Sequence, residues 1–333
     1  MSATKKIAVL GAGAWGTALA LALAQKQHEL TLWSHSAAGA ATLAKTRRND
    51  AYLPGFDLPA GIHITADLKA AATADILLCV VPSQHMRATI ETLRPSLRPD
   101  HILISATKGI EDGSFLRVSE VMQQAAGQTI NIGVLSGPSF AQEVAQHMPT
   151  AIAIASTDAA LAQAIQKQFS SPTLRLYTSA DVIGVELGGA LKNVIAISAG
   201  IVSGLGLGHN SAAALITRGI AEITRLAVAC GGRPETLAGL SGMGDLVLTC
   251  TGSLSRNRSV GIELGRGRQL PEILDGLHGK VAEGVRSTTA ALGLARKHGV
   301  EMPITEQMEA ILHHGKSPKT AIRELMSRPG RDE

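Results

Sequence analysis

Lys6-Ile7-Ala8-Val9-Leu10-Gly11-Ala12-Gly13-Ala14-Trp15-Gly16 is the stretch whose reading decides the fold. Lys6–Leu10 is apolar after its first residue, the pattern of a strand covered on both faces. A GxGxxG turn follows, and then Thr17–Gln27, rich in alanine and leucine, reads as a helix. A second strand at Leu30–Trp33 completes strand, turn, helix, strand, the context that gives an otherwise weak glycine signature its meaning. Gly11 permits the tight turn, Gly13 lets the backbone approach a pyrophosphate, and Gly16 lets helix and strand pack closely. The helix start then offers N–H groups and a positive dipole end to phosphates. The turn therefore predicts a bound dinucleotide, nicotinamide or flavin.

Working outward, further strands are expected at Ile62–Thr65, Ile76–Val81, Ile102–Ala106, Ile132–Leu135, Ala151–Ala155 and Leu174–Tyr177, with helices between several of them. That order predicts an α/β Rossmann domain with a doubly wound, mostly parallel sheet over residues 1–180. From about Asp181 long helical patterns take over: Asp181–Val202, Ser211–Ala229, Ser287–Lys297 and Ile304–His313. Residues 181–333 are thus expected to form a C-terminal all-α domain.

Two apolar runs imitate membrane segments. Ile7–Ala24 behind Lys5-Lys6 resembles a signal peptide, but its three glycines fit the strand–turn–helix better. Val182–Leu207 contains Glu186, Lys192 and Asn193, which are costly in lipid, so a buried helix is expected and no membrane insertion. Of 333 residues only 2% are aromatic, so a surface that stacks bases is hard to build and no nucleic acid is expected. The net charge of +4 is a mild excess suited to a small anionic ligand. The three cysteines are far apart and unpaired in pattern, which points to a reducing compartment and to no metal.

Ligands of such a sheet lie beyond the carboxyl ends of its strands. There the sequence places Val81-Pro82-Ser83, Thr107-Lys108-Gly109 and Ser136-Gly137-Pro138-Ser139: small, polar or cationic groups. After the second strand come Trp33-Ser34-His35-Ser36, where an acid for the ribose hydroxyl of NAD would stand. Its absence, with His35 and Arg47-Arg48 downstream, predicts NADPH as the preferred cofactor without strict exclusion of NADH; a solvated loop is the other reading of the two arginines. In the second half, Lys192 and Asn193 interrupt an apolar helix. A buried ammonium is disfavoured by desolvation, so this lysine either snorkels outward or serves a polar site, where it can transfer protons. Gly242-Met243-Gly244-Asp245 and Ser255-Arg256-Asn257 follow; the latter suits a phosphate clamp or a polar turn.

Together GAGAWG, SATKGIE (Ser105–Glu111), SGPSFAQEV (Ser136–Val144), ELGGALKN (Glu186–Asn193), GLSGMGDL (Gly239–Leu246) and SRNR (Ser255–Arg258) resemble, in order and spacing over essentially the whole chain, the bacterial NAD(P)-dependent sn-glycerol-3-phosphate dehydrogenases. The resemblance implies reduction of dihydroxyacetone phosphate to glycerol 3-phosphate for phospholipid synthesis, by a cytoplasmic homodimer. It implies Lys192 as catalytic acid/base, and Lys108, Gly137, Ser139, Asp245, Ser255, Arg256 and Asn257 as substrate-binding residues. Gly11, Gly13 and Gly16 form the cofactor turn, and Ala14, Trp15, His35, Lys108, Ala141, Arg256, Val281 and Glu283 would line the cofactor. Two departures stand out: Ala14 replaces a common serine, and Ser36 replaces an acid common in the family, which favours NADPH further. Asp245 would either orient Lys192 or hold a substrate hydroxyl. The competing readings are a related reductase of a 2-keto or β-hydroxy acid, and a non-catalytic NADPH sensor. His209, in Gly208-His209-Asn210, is the alternative acid/base, with a turn histidine as its plainer reading.

Overall fold

The computed structural model describes residues 4–276 and 282–330. The chain divides into two compact units, Met1–Glu111 with Leu116–Glu186, and Asp112–Phe115 with Leu187–Glu333. The first unit carries β1 (Lys6–Leu10), β2 (Glu29–Trp33), β3 (Arg48–Asn49), β4 (Leu53–Asp57), β5 (Ile62–Thr65), β6 (Ile76–Cys79), β7 (Ile102–Ser105), β8 (Asn131–Ser136), β9 (Thr150–Ala155) and β10 (Leu174–Ser179). Eight of these form one sheet, in the order β10-β9-β8-β7-β6-β1-β2-β5.

The alternation along β1 sorts the core into two layers. Ile7 and Val9 pack with Leu19, Leu23 and Leu32 on one face, whereas Ala8 and Leu10 pack with Leu77, Met86 and Ile90 on the other. With helices on both faces every central strand must be apolar throughout, which is why Ile76–Cys79 has no polar residue. All neighbours run parallel except β8 and β9, so β9 and β10 are reversed. The segment between β8 and β9 holds only the short helix Ala141–Ala145, and an antiparallel neighbour needs no return across the sheet. Consequently the loops after β1, β2, β6, β7 and β8 leave from one edge.

The β3–β4 hairpin was not among the expected strands. Arg47 and Arg48, read as candidates for a 2′-phosphate, enter the β3–β4 hairpin instead. Arg47 is left-handed at φ 55 and ends the helix Ala37–Thr46. Its guanidinium donates to the carbonyls of Leu58 (3.2 Å), Pro59 and Ile62 (3.0 Å). Arg48 pairs with Asp50 at 3.2 Å and Asp57 at 3.9 Å. Arg47 thus braces the hairpin through three carbonyls, whereas Arg48 stays half exposed beside its two acids.

The second unit is helical. The apolar helix Val182–Gly204, which enters this unit at Leu187 and is long enough to cross a membrane, has 89% of its most apolar window buried inside the protein, so it is a core helix. It passes close to the helix Arg256–Gly265 through small residues on both. A Cβ on Gly261 would lie 1.9 Å from the Ile197 carbonyl oxygen, and one on Gly200 2.1 Å from that of Arg258. These glycines fix the approach of the Ser255–Asn257 segment to the helix that bears Lys192. Because the obstructing atoms are backbone, Gly261→Ala is expected to cost at least about 3 kcal/mol. Thermal unfolding should then begin roughly 6–12 °C lower. An unchanged Tm would contradict this contact.

Candidate active site

In the first unit the dinucleotide turn meets its physical requirements one by one. Gly11 sits at φ +126, and a Cβ there would lie 2.8 Å from the Val80 carbonyl oxygen. A Cβ on Gly16 would fall 1.9 Å from the Gly11 carbonyl oxygen, so helix and turn touch where that glycine allows it. At Gly13 a Cβ would meet nothing within 4 Å, leaving the backbone open where a pyrophosphate needs to approach. The helix Ala14–Leu23 has Gly13 as its N-cap, no side-chain cap and no acid in its first turn. An anion therefore meets N–H groups there with no competing carboxylate. These residues fit a dinucleotide.

The turn is joined to β2, since the Gly11 N–H donates to the Trp33 carbonyl at 3.1 Å. His35 follows at the same end, exposed, and Ser36 caps the next helix by accepting from the Gly39 N–H at 3.1 Å. Ala141 opens its short helix and packs, with Ala12 and Trp15, against the core beneath the turn. Lys108, Gly137 and Ser139 come together: the Lys108 ammonium donates to the Gly137 carbonyl at 3.1 Å, and the Ser139 hydroxyl to the same oxygen at 2.9 Å. Gly137 adopts φ +142, and a Cβ there would press on the Ile152 Cα at 3.0 Å, so glycine is required at this corner.

In the second unit Lys192 does not snorkel. It is 6% exposed, and its ammonium donates to Asp245 Oδ1 and, at 2.9 Å, to Thr249 Oγ1. Asp245 is fully buried, so neither charge is tolerable without the other. The sequence left Asp245 two roles; the geometry puts its carboxylate on Lys192. Thr249, which the sequence reading missed, stands one helical turn after Asp245 and donates to its carbonyl at 2.6 Å. That i, i+4 spacing was the available signal. The segment before Asp245, Leu240–Gly244, is a π-helical turn, and Gly188 packs on it with no room for a Cβ. Cys250 lies nearby as a spectator: burial pushes its thiol up to about 12, despite the opposing influence of Lys192 and Arg258.

Ser255 resolves as a helix cap as well as a candidate clamp. Its hydroxyl accepts from the Arg258 N–H at 3.2 Å and starts the helix Arg256–Gly265. Asn257 is buried and accepts the Gly284 N–H at 3.0 Å. This ties the segment to Glu283, which opens the helix Glu283–His298. Arg256 is exposed, at the first turn of a helix without acids there. Among the described residues its guanidinium has no partner, so it is available to an anion. Val281 lies outside the described residues. His209 is exposed near the start of the helix Gly208–Ala229 and joins neither constellation.

Two profiles of one family match the chain: NAD-dependent glycerol-3-phosphate dehydrogenase N-terminus over residues 6–162, and the C-terminus of the same family over residues 181–323. A protein named glycerol-3-phosphate dehydrogenase [NAD(P)+] from Acidobacterium capsulatum is 60% identical over 98% of this chain and 99% of its own length. One of the same name from Koribacter versatilis is 56% identical over 98% of each chain. The crystal structure of glycerol-3-phosphate dehydrogenase from Coxiella burnetii superposes with a TM-score of 0.94 at 41% identity, covering 98% of this chain and 99% of that one.

Proposed function

The chain belongs to the NAD-dependent glycerol-3-phosphate dehydrogenases, and from that premise we propose how its residues divide the reduction of dihydroxyacetone phosphate to sn-glycerol 3-phosphate by NAD(P)H. The observation that carries the assignment is the buried ion pair between Lys192, on the largely apolar helix Val182–Gly204, and Asp245, at the start of the helix Asp245–Thr251. A dinucleotide held at the glycine turn would supply the hydride. Lys192 would stabilise the negative charge that grows on the substrate's carbonyl oxygen and donate the proton to it. Asp245 and Thr249 hold the ammonium in place. Arg256, with the N–H groups at the start of its helix and the hydroxyl of Ser255, takes the substrate phosphate. Asn257 fixes that segment through Gly284. Lys108, Gly137 and Ser139 gather a cation and two polar groups within the first unit, and we assign them to ligand binding there. In the direction of alcohol oxidation Lys192 must accept the proton, so oxidation gains as pH rises.

The decisive assay offers NADPH with dihydroxyacetone phosphate beside ketopantoate and simple 2-keto acids. Turnover on the phosphorylated ketone is expected. Turnover confined to the acids would make this a reductase of another substrate, and NADPH binding without any turnover would favour a sensor.

NADPH is the proposed preference, supported by the exposed His35 and the absence of a carboxylate after β2. With Arg47 engaged in the hairpin and Arg48 beside its two acids, discrimination rests on little more than missing repulsion. The expected kcat/KM ratio for NADPH over NADH is therefore about 10, short of exclusion. A ratio below one would reverse the assignment. A homodimer in the cytoplasm, feeding phospholipid synthesis, completes the proposal. The three free thiols, two of them buried, accord with a reducing compartment, and sedimentation of the full chain tests the dimer.

A further inference from the structure

Asn49 is a buried amide at the end of the two-residue strand β3, 4% exposed. Its Nδ2 donates to the Ala12 carbonyl at 2.9 Å and to Thr17 Oγ1 at 2.7 Å. Ala12 lies inside GAGAWG, and Thr17 is the next residue after it, itself buried. A single side chain from the hairpin thus grips both the turn and the first turn of its helix. The helix also holds the loop from below, since the Thr17 N–H donates to the Gly13 carbonyl at 2.9 Å.

The consequence follows from the planarity of one peptide. No peptide in the described chain is cis, so the Ala12 C=O and the Gly13 N–H point in opposite directions. With the carbonyl held toward the hairpin by Asn49, the Gly13 N–H is turned away from it, at the residue whose surroundings are open. Glycine at position 13 leaves φ on one side of this peptide free to rotate, and a flipped peptide would present a carbonyl oxygen to the phosphates in place of an N–H. The hairpin is in turn anchored by the three carbonyl contacts of Arg47 and by the Leu58 N–H, which donates to the Arg47 carbonyl at 2.7 Å.

We propose that Asn49 is a positioning residue for the pyrophosphate: held by the Arg47-braced hairpin, it fixes the Ala12–Gly13 peptide in the orientation that donates to the bound dinucleotide. This rests on the dinucleotide reading of the turn and adds to it. Arg47 beside it then has a structural reason of its own, which is to hold the amide rather than to meet a 2′-phosphate.

The test compares two ligands of the full-length protein. NADPH contains the pyrophosphate, whereas adenosine 2′-monophosphate shares the adenosine and 2′-phosphate but lacks it. In Asn49→Ala the Kd for NADPH is expected to rise about 10-fold or more. Asn49→Asp, of equal shape, replaces the donor by a carboxylate facing a carbonyl and should be worse. In both, the Ki of adenosine 2′-monophosphate and the KM for dihydroxyacetone phosphate should stay near wild type, and kcat at saturating NADPH should be retained. Should Asn49→Ala fail to fold, Asn49→Ser keeps one hydroxyl donor and is read by the same ratio of the two ligands. NADPH binding unchanged in the variants, or both ligands weakened together, would overturn the proposal. Wild-type protein that binds neither NADPH nor NADH would instead overturn the dinucleotide reading beneath it.

Discussion

Replacing Lys192 by methionine is expected to lower kcat at least about 10³-fold while leaving NADPH binding within roughly twofold of wild type. Methionine preserves the apolar stem, so packing within the helix Val182–Gly204 changes little. What disappears is the proton donor and the positive charge that meets the developing alkoxide. General acid catalysis contributes about 10²–10⁴ and a lost oxyanion donor about 10²–10³, and one ammonium supplies both. The substitution also strands a fully buried carboxylate at Asp245, which costs about 3–5 kcal/mol. The double variant Lys192→Met/Asp245→Asn removes that charge. It is expected to recover thermal stability and to remain inactive, which separates chemistry from folding. A kcat within tenfold of wild type in the folded double variant would remove Lys192 from the reaction.

The parts legible in the sequence were those written in a short period or a fixed spacing. The apolar pattern of Lys6–Leu10 and the glycine turn behind it are local, and β1 and β2 lie where their patterns place them; the helix, expected over Thr17–Gln27, instead starts inside the turn and runs Ala14–Leu23. Lys192 was conspicuous because a cation in an apolar helix requires an explanation. Its partner was harder. Asp245 and Thr249 stand far away in the chain, and only folding shows that the carboxylate serves the lysine. The reversal of β9 and β10 left no trace in their composition, because a strand covered on both faces reads the same in either direction.

The hairpin is the instructive miss. Arg47 and Arg48 have the residue type that binds phosphate, and the sequence gives no sign that the carbonyls of Leu58, Pro59 and Ile62 take up the first of them. Asn49 carried no signal at all, since a lone asparagine before an aspartate reads as a turn. Its importance appears only when the Ala12 carbonyl is found beside it. Residues that act on the backbone of a motif are harder to read than the motif itself.

Arg256→Ala should raise the KM for dihydroxyacetone phosphate about 10²-fold or more, the second large effect expected of this chain. The guanidinium is exposed, without a protein partner among the described residues, at the head of a ten-residue helix capped by Ser255. Truncating it leaves no buried charge behind, so stability should change by less than about 0.5 kcal/mol. Loss of binding without loss of fold is thus the specific expectation. The phosphate assignment can be isolated with unphosphorylated dihydroxyacetone, a poor substrate that lacks the group Arg256 is assigned to hold. Turnover of that ketone should be equally slow in wild type and Arg256→Ala, because nothing the arginine binds is present. Arg256→Lys keeps the charge but not the bidentate fork, and an intermediate KM is expected. The resemblance also gave Arg256 a place beside the cofactor, and the two roles part here. A variant that loses NADPH affinity while its KM for dihydroxyacetone phosphate holds would move the arginine to the cofactor. The substrate phosphate would then rest on Ser255, Asn257 and the helix start alone.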